Sequence, residues 1–292
     1  MSNKVIDAAL REFDTSTPPV PVKDGLTIDN QPAVLSENAG DVAISIRGMV
    51  TIRLNGHTLN SLNVTSLDAT SKLLIIHGAV RGPVRVGAEG GDKNPQRVVF
   101  RDLRVVGGNI FVRSSGDAML DAVSVSRTSL SPVDVVVGQE LSSNIVAHAL
   151  HISDCWLPTT PDPATAIRLE GGGTIELRSL MARSLSTFAP RLRCVFLKGN
   201  RVYAGNINIE GASAPRGRVD GLVPVSTTPA VLGDVRVDAH SGGESDELEL
   251  PAPGGGVMVT ACVGDGISRP VVASADTRTH GAVDSHFVTE SA

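Results

Sequence analysis

A short pattern of apolar positions recurs along the middle of the chain. It reads apolar, two free positions, apolar, one free position, apolar. The copies are Phe100–Leu103–Val105, Leu120–Val123–Val125, Ala147–Leu150–Ile152, Leu177–Leu180–Ala182, Ala204–Ile207–Ile209 and Leu232–Val235–Val237. Their middle residues fall at 103, 123, 150, 180, 207 and 235, so successive copies are 20, 27, 30, 27 and 28 residues apart. Such a period is typical of repeat proteins, in which each unit buries its apolar face against its neighbours.

Each copy is followed, after a few turn residues, by a second strand-like run such as Ile110–Val112, Val133–Val137 or Ala166–Leu169. Two or three strands in each turn of 20–30 residues predict a three-sheet β-solenoid. A β-sandwich also has many short strands, but it favours spacings of 8–12 residues and no recurring block. Helical repeats are disfavoured because no 3.6-residue periodicity is sustained and Val, Thr, Ile and Gly are abundant.

Two neighbouring segments, IRLNGHTL from Ile52 and LLIIHGAVRG from Leu73, carry a resemblance to known proteins. They resemble the opening coils of right-handed parallel β-helix proteins of the pectate-lyase-like and NosD-like families. The resemblance is close over 50–82 and rests on pattern alone over 83–243. It implies an all-β, right-handed parallel β-helix. It does not select an activity, since such coils occur in lyases, hydrolases, bacteriophage tailspikes and structural virion proteins.

The pattern divides the chain into three predicted segments. Residues 1–40 form an N-terminal leader or docking arm, in which Val5–Phe13 can make one helix with Ile6, Ala9, Leu10 and Phe13 on one side. Residues 41–243 form the β-helix. Residues 244–292 begin with an acidic, Pro/Gly-rich linker and end in a β cap, which a solenoid needs because its last coil would otherwise expose strand edges.

Composition and charge argue against nucleic-acid binding, membrane insertion and metal binding. The net charge of -5 gives no basic footprint for nucleic acid. No apolar run is long enough for a transmembrane helix, and the charged start lacks the apolar stretch of a secretory signal. Cys155, Cys194 and Cys262 lack metal-ligand spacing, so we predict buried structural roles, no metal site and no cofactor.

The outward positions of the repeat are where carboxylates for catalysis would lie. One column reads Arg104, Ser124, His151, Met181, Asn208, Arg236, and the next reads Val106, Ser126, Ser153, Arg183, Glu210, Asp238. Glu210 and Asp238 could be neighbours one coil apart, at about the 4.8 Å spacing of paired strands, and are the catalytic candidates of a glycan-cleaving enzyme. Solvated surface acids are the alternative interpretation. His148 and His151 are three apart on a strand and therefore face opposite sides.

Aromatic residues that could stack on sugars are scarce, with one Trp, one Tyr and six Phe in the chain. Trp156 precedes the PTTPDPAT loop and is the candidate carbohydrate-binding residue, with half-buried packing as the alternative.

We therefore expect a structural virion protein of a bacteriophage, a tail, spike or capsid-decorating component that acts in assembly or host-surface attachment and is not an enzyme. Its expected partners are other virion proteins, further copies of itself (a trimer, by the resemblance) and a host-surface glycan. Synthesis in the host cytoplasm without a signal peptide fits this location. The alternatives are a polysaccharide lyase or hydrolase of the β-helix class and a cytosolic scaffold that polymerises.

Overall fold

The computed structural model describes residues 13, 17–91, 93–160, 163–228, 230–241, 246–248, 257–265, 269–273, 278–279 and 287–289. All regular elements in this part of the chain are β-strands, and no helix in it is long and apolar enough to cross a membrane. The strands are β1 Val20–Pro21, β2 Leu26–Asp29, β3 Pro32–Val34, β4 Ala39–Arg47, β5 Met49–Arg53, β6 Thr58–Ser66, β7 Lys72–Val80, β8 Val84–Val86, β9 Arg97–Val106, β10 Ile110–Arg113, β11 Asp117–Ser126, β12 Val133–Val136, β13 Ile145–His148, β14 Leu150–Leu157, β15 Ala164–Glu170, β16 Thr174–Thr187, β17 Arg191–Gly199, β18 Arg201–Ala214, β19 Arg218–Ser226, β20 Ala230–Ser241, β21 Asp246–Leu248, β22 Val257–Asp265, β23 Arg269–Ala273, β24 Arg278–Thr279 and β25 Phe287–Thr289.

Every strand pairing is parallel and joins one coil to the next. Three ladders run the length of the molecule, and we call them sheets I, II and III. Sheet I contains β8, β10, β12, β15, β17 and β19. Sheet II contains β5, β13 and the first parts of β7, β9, β11, β16 and β18. Sheet III contains the later parts of the same long strands together with β14. The all-β parallel β-helix is thereby confirmed.

The bends between sheets use single residues with left-handed backbone conformation. Between sheets II and III these are His77, Asp102, Ala122 and Ala149, with φ from 50° to 62°. One such residue turns the chain without ending the strand, which is why β9 and β11 each pass through two sheets. The coils also stack closely, since a Cβ on Gly108 would lie 2.0 Å from the carbonyl carbon of Gly82. Only glycine allows this backbone contact.

The interior is one continuous apolar stack. The three apolar positions of the repeat pattern point inward in every copy, and all of them are buried. For example, Leu103, Val123, Leu150, Leu180, Ile207 and Val235 follow one another in register along sheet III. Each unit buries its side chains against the coils above and below, so the stack itself is the hydrophobic core.

The longer coils contain an additional short ladder. After sheet III the chain turns at Asp154, Ser184 and Gly211, which have φ of 54°, 54° and 65°. The next residues pair as Cys155–Leu157 with Leu185–Thr187, and Ser186 with Ser213. We call this ladder IV. It lengthens the coils that begin at Leu150, Leu180 and Ile207 to 27–30 residues, whereas the coil that begins at Leu103 takes 20, and it was not anticipated from the sequence.

Parallel strand pairing is also present outside residues 41–243, the predicted bounds of the β-helix. Ladder pairing already begins at Val20, Leu26 and Pro32, within the segment 1–40, because short runs around Gly25 and Asn30 join the sheets. Strands β21–β25, within 244–292, pair in parallel and continue the ladders. Of the predicted helix Val5–Phe13, only Phe13 lies among the described residues, and it is buried against sheet II.

Candidate functional site

The outward column of sheet III lies where the repeat pattern predicts it. Arg104, Ser124, His151, Met181, Asn208 and Arg236 pair one after another in register. Arg104, His151 and Arg236 are exposed, and the other three are partly exposed. His148 lies on sheet II, with the left-handed Ala149 between it and His151. The two histidines therefore face away from different sheets.

A groove of about 680 Å³ crosses four coils along this column. His151, Met181, Asn208 and Arg236 line it, together with the corner residues Ala149, Ser179, Asn206 and Asp234. The Oδ1 atom of Asn208 is buried and has no hydrogen-bond partner, whereas its Nδ2 donates to Oε1 of Glu210 at 2.8 Å. A buried acceptor without a partner costs stability. The groove offers an extended path that is lined by polar side chains and Met181.

An exposed aromatic patch lies on the same coils, beyond the corner at Asp154 and Ser184. Trp156, on ladder IV, is 46% exposed, and Phe188, one coil on, is 43% exposed. Their rings meet edge to face, with centroids 4.7 Å apart and planes at 76°. The guanidinium of Arg216, from the following coil, lies 5.1 Å from the centre of the Phe188 ring. We call Trp156, Phe188 and Arg216 the aromatic patch.

The patch combines exposed aromatic rings with a cation at their edge. Aromatic rings present flat apolar faces, and the cation at the edge adds hydrogen-bond donors for hydroxyl or carboxylate oxygens. Edge-to-face packing fixes the position of the Trp156 ring, so little side-chain freedom is lost when a ligand binds. Trp156 was predicted as the candidate carbohydrate-binding residue, and the structure places it at the surface with about half of its area exposed.

The catalytic candidates Glu210 and Asp238 lie on neighbouring strands, at a shift in the register of the ladder. Glu210 is opposite Arg183 in the ladder, and its Oε2 lies 2.9 Å from Arg183 Nε. On its other side the register shifts between Ile209 and Ala212, so that Glu210 and the left-handed Gly211 form a bulge next to Asp238. The Asp238 side chain lies outside the described residues. The proposed pairing of the two carboxylates therefore stays a prediction.

Several other carboxylates on the strand faces lie beside basic side chains. Asp117 is 2.9 Å from Arg97, and Asp134 is 3.0 Å from Arg113. Asp121 is 3.0 Å from Nδ1 of His148 and 3.7 Å from Arg101. Glu176 pairs with Arg178 at 2.8 Å, and the fully buried Asp220 pairs with Arg191. The pairs between coils, such as Asp117 with Arg97, also align neighbouring strands, whereas Glu176 and Arg178 lie on one strand.

Glu170 forms ion pairs with two cations at once. Its Oε1 is 2.7 Å from Lys198 Nζ, and its Oε2 is 2.5 Å from Arg168 Nη2. Burial alone raises the pKa of Glu170, but the hydrogen bonds and charges of Lys198 and Arg168 outweigh it, and the net pKa is lowered. Glu170 is thus a carboxylate at neutral pH and serves to bind two coils of sheet I together.

Cys155 and Cys194 are buried free thiols, as predicted for these two. Burial raises the pKa of Cys155 to about 11 and also raises that of Cys194. Both therefore stay protonated near neutral pH and pack as small apolar side chains. Within the described ranges, no group of three or more His, Cys, Asp and Glu side chains could hold a metal ion.

No protein-family model, curated protein or solved structure matches this chain. Its function is therefore argued from geometry. Phe188 and Arg216 were missed from the sequence because they lie beyond the aligned repeat. Aligning Cys155–Leu157 with Leu185–Thr187 places Phe188 just past the strand that neighbours Trp156, and this is the signal that could have found it.

Proposed function

We propose that this protein is a structural attachment component of a bacteriophage virion, which binds a host-surface polysaccharide through the aromatic patch and the adjoining groove. The observation that carries the attachment role is the aromatic patch itself. Trp156 and Phe188 form an ordered apolar surface that the fold leaves open to solvent. Exposed aromatic clusters of this kind are typical of binding sites.

The shape of the binding face favours a polymer. The groove crosses four coils, a length of about 14 Å at about 4.8 Å per coil. Strand β14 carries His151 in the groove and Trp156 in the patch, so a chain of several sugar units could contact both. The strands of sheet III that carry the groove are held in place, because each of them is hydrogen-bonded to a strand on both sides.

The scaffold role is supported by the ion pairs. Asp117, Asp121, Asp134, Glu170 and Asp220 each lie beside a cation that joins them to a neighbouring residue or coil. Carboxylates arranged in this way stabilise the stack and are not poised as a free acid and base pair. The virion location rests on the resemblance of 50–82 to coils that occur in tailspikes, which is an argument from fold.

The attachment role is tested by binding to a panel of purified bacterial capsular and O-chain polysaccharides. We expect the unmodified protein to bind at least one polysaccharide and Trp156→Ala to weaken that binding at least tenfold. Tyr203→Ala is the matched control, because Tyr203 is also a partly exposed aromatic residue but lies on sheet II, opposite Glu176. Equal loss in both variants, or binding that is unaffected by Trp156→Ala, would contradict the assignment.

The virion location is tested separately by mass spectrometry of purified phage particles, in which this chain should be present in fixed copy number. The runner-up, a depolymerase, is tested in the same polysaccharide panel by measuring reducing ends and unsaturated products. Cleavage that is lost in Glu210→Gln but kept in Trp156→Ala would favour the enzyme over the attachment protein.

A further inference from the structure

The outer surface of sheet II carries an apolar stripe. Leu74, Val99, Met119 and Val146 pair in register across four coils, at the outward position between two inward ones. The outward positions of sheet III are mostly polar, but these four residues are apolar and buried, with exposures from 0% for Val99 to 8% for Val146. We call them the sheet II stripe. Residues that point away from the core can only be buried if another part of the molecule covers them.

Phe13 is a described residue that covers part of the stripe. Phe13 packs in a single apolar cluster with the four stripe residues and is itself 3% exposed. The hydroxyl of Thr51, which precedes Leu74 in the same ladder, donates to the backbone carbonyl of Phe13 at 3.4 Å. Phe13 therefore lies at the Thr51 end of the stripe. The stripe spans about 14 Å at about 4.8 Å per coil, which is more than one phenylalanine ring can cover.

The segment that precedes Phe13 has the pattern needed to cover the rest. Ile6, Ala9, Leu10 and Phe13 follow the spacing of one apolar side of a helix. A helix of the nine residues 5–13 is about 13 Å long, and its pitch of about 5.4 Å nearly matches the spacing between coils. One apolar side chain per turn would then meet one stripe residue per coil.

The stripe also ends where such a helix would end. The ladder position that follows Val146 is Glu176, and the next is Tyr203. The apolar surface is thus about as long as the apolar side of residues 5–13 and no longer.

We propose that residues 5–13 of the same chain bind along the sheet II stripe as an amphipathic helix with Ile6, Ala9 and Leu10 against Met119, Val99 and their neighbours. The short link to the first strand favours this occupant, since only six residues separate Phe13 from Val20. A tether of this length gives the segment a high effective concentration at its own scaffold, so a copy from another chain competes poorly. The leader is then a built-in cover for one face of the β-helix.

The test uses the full-length chain and two methionines that share the outward position on different sheets. Met119 lies in the stripe, whereas Met181 lines the open groove on sheet III. Their rates of oxidation by hydrogen peroxide are measured by peptide mass spectrometry. We expect Met119 to be oxidised at least fivefold more slowly than Met181, at every protein concentration. Equal rates, or protection of Met119 that is lost on dilution, would overturn the proposal, the latter because the cover would then come from another copy.

A matched pair of substitutions identifies the covering segment. Ala9→Asp places a charge on the apolar side of residues 5–13, whereas Ala8→Asp places the same charge on the opposite side. We expect Ala9→Asp to raise the oxidation rate of Met119 to near that of Met181 and to leave Met181 unchanged, and Ala8→Asp to change neither. Continued protection of Met119 in Ala9→Asp would overturn the proposal.

Discussion

The sheet II stripe and the aromatic patch are both apolar surfaces on the outside of this β-helix, but they differ in how much of their area is buried. The sheet II stripe is made of aliphatic and methionine side chains, and it is covered, with Phe13 packed against it. The aromatic patch is made of Trp156 and Phe188, and nearly half of each side chain is open to solvent. Both surfaces are built on the same kind of parallel ladder, with alternate residues pointing outward.

The difference in burial indicates different roles: the sheet II stripe stabilises the folded chain, whereas the aromatic patch is available to a binding partner. Covering the stripe adds buried apolar area to the folded chain, at about 25 cal/mol for each Å² removed from water. The aromatic patch gains no such stabilisation in the free protein, and that apolar area remains to be buried by a partner. An aromatic cluster of two packed rings that stays open to solvent is therefore the best candidate for a binding site.

The largest effect is expected from placing a charge in the covered surface. Val99→Asp puts a carboxylate at a fully buried position among apolar neighbours, and we expect the free energy of unfolding to fall by about 3–5 kcal/mol, as for an unpaired buried charge. Trp156→Ala, in the open patch, should lower it by only about 0.5–1.5 kcal/mol, the value of the ring pair that it removes. Urea unfolding followed by far-UV circular dichroism measures both. Equal losses would show that the two surfaces do not differ as described.

A smaller effect is expected from the ion pairs that join two coils of sheet I. Glu170→Gln removes the carboxylate that binds Arg168 and Lys198, and we expect a loss of about 1–3 kcal/mol at neutral pH. Since the pKa of Glu170 is lowered in the folded state, its stabilisation is fully present above the pKa of the unfolded chain. It is lost as the pH falls through the lower, folded-state value. The difference between wild type and Glu170→Gln should thus shrink in acid, and a difference that grows in acid would contradict the assignment.

The smallest effect is expected within the patch. Phe188→Ala removes the ring that packs edge to face on Trp156, and we expect a cost of about 0.5–1.5 kcal/mol and a Trp156 side chain that is more accessible to acrylamide. Quenching of the tryptophan emission measures that accessibility, and Leu141→Ala, at a distant exposed leucine, is the control. Unchanged quenching in Phe188→Ala would mean that Phe188 does not hold the Trp156 ring.

The periodic interior could be predicted from the sequence, but the outside could be predicted only in part. The repeat pattern identified the inward residues because each coil needs an apolar side chain at the same position, as at Leu103 and Val123. It also placed His151 and Met181 correctly in one outward column. It could not show that Glu210 is bound to Arg183 or lies at a bulge, because side-chain pairing depends on exact register. Phe188 and Arg216 approach Trp156 from turns whose course no repeat specifies.

Trp156 is the single tryptophan of the chain, so its fluorescence reports directly on the proposed binding site. The most direct test of the attachment function is to titrate the unmodified protein with the polysaccharide that it binds on the panel while recording this emission. The proposed function predicts a shift of the emission to shorter wavelength and weaker quenching by acrylamide, both saturating at the concentration that saturates binding. Saturable binding with unchanged emission and unchanged quenching would contradict it.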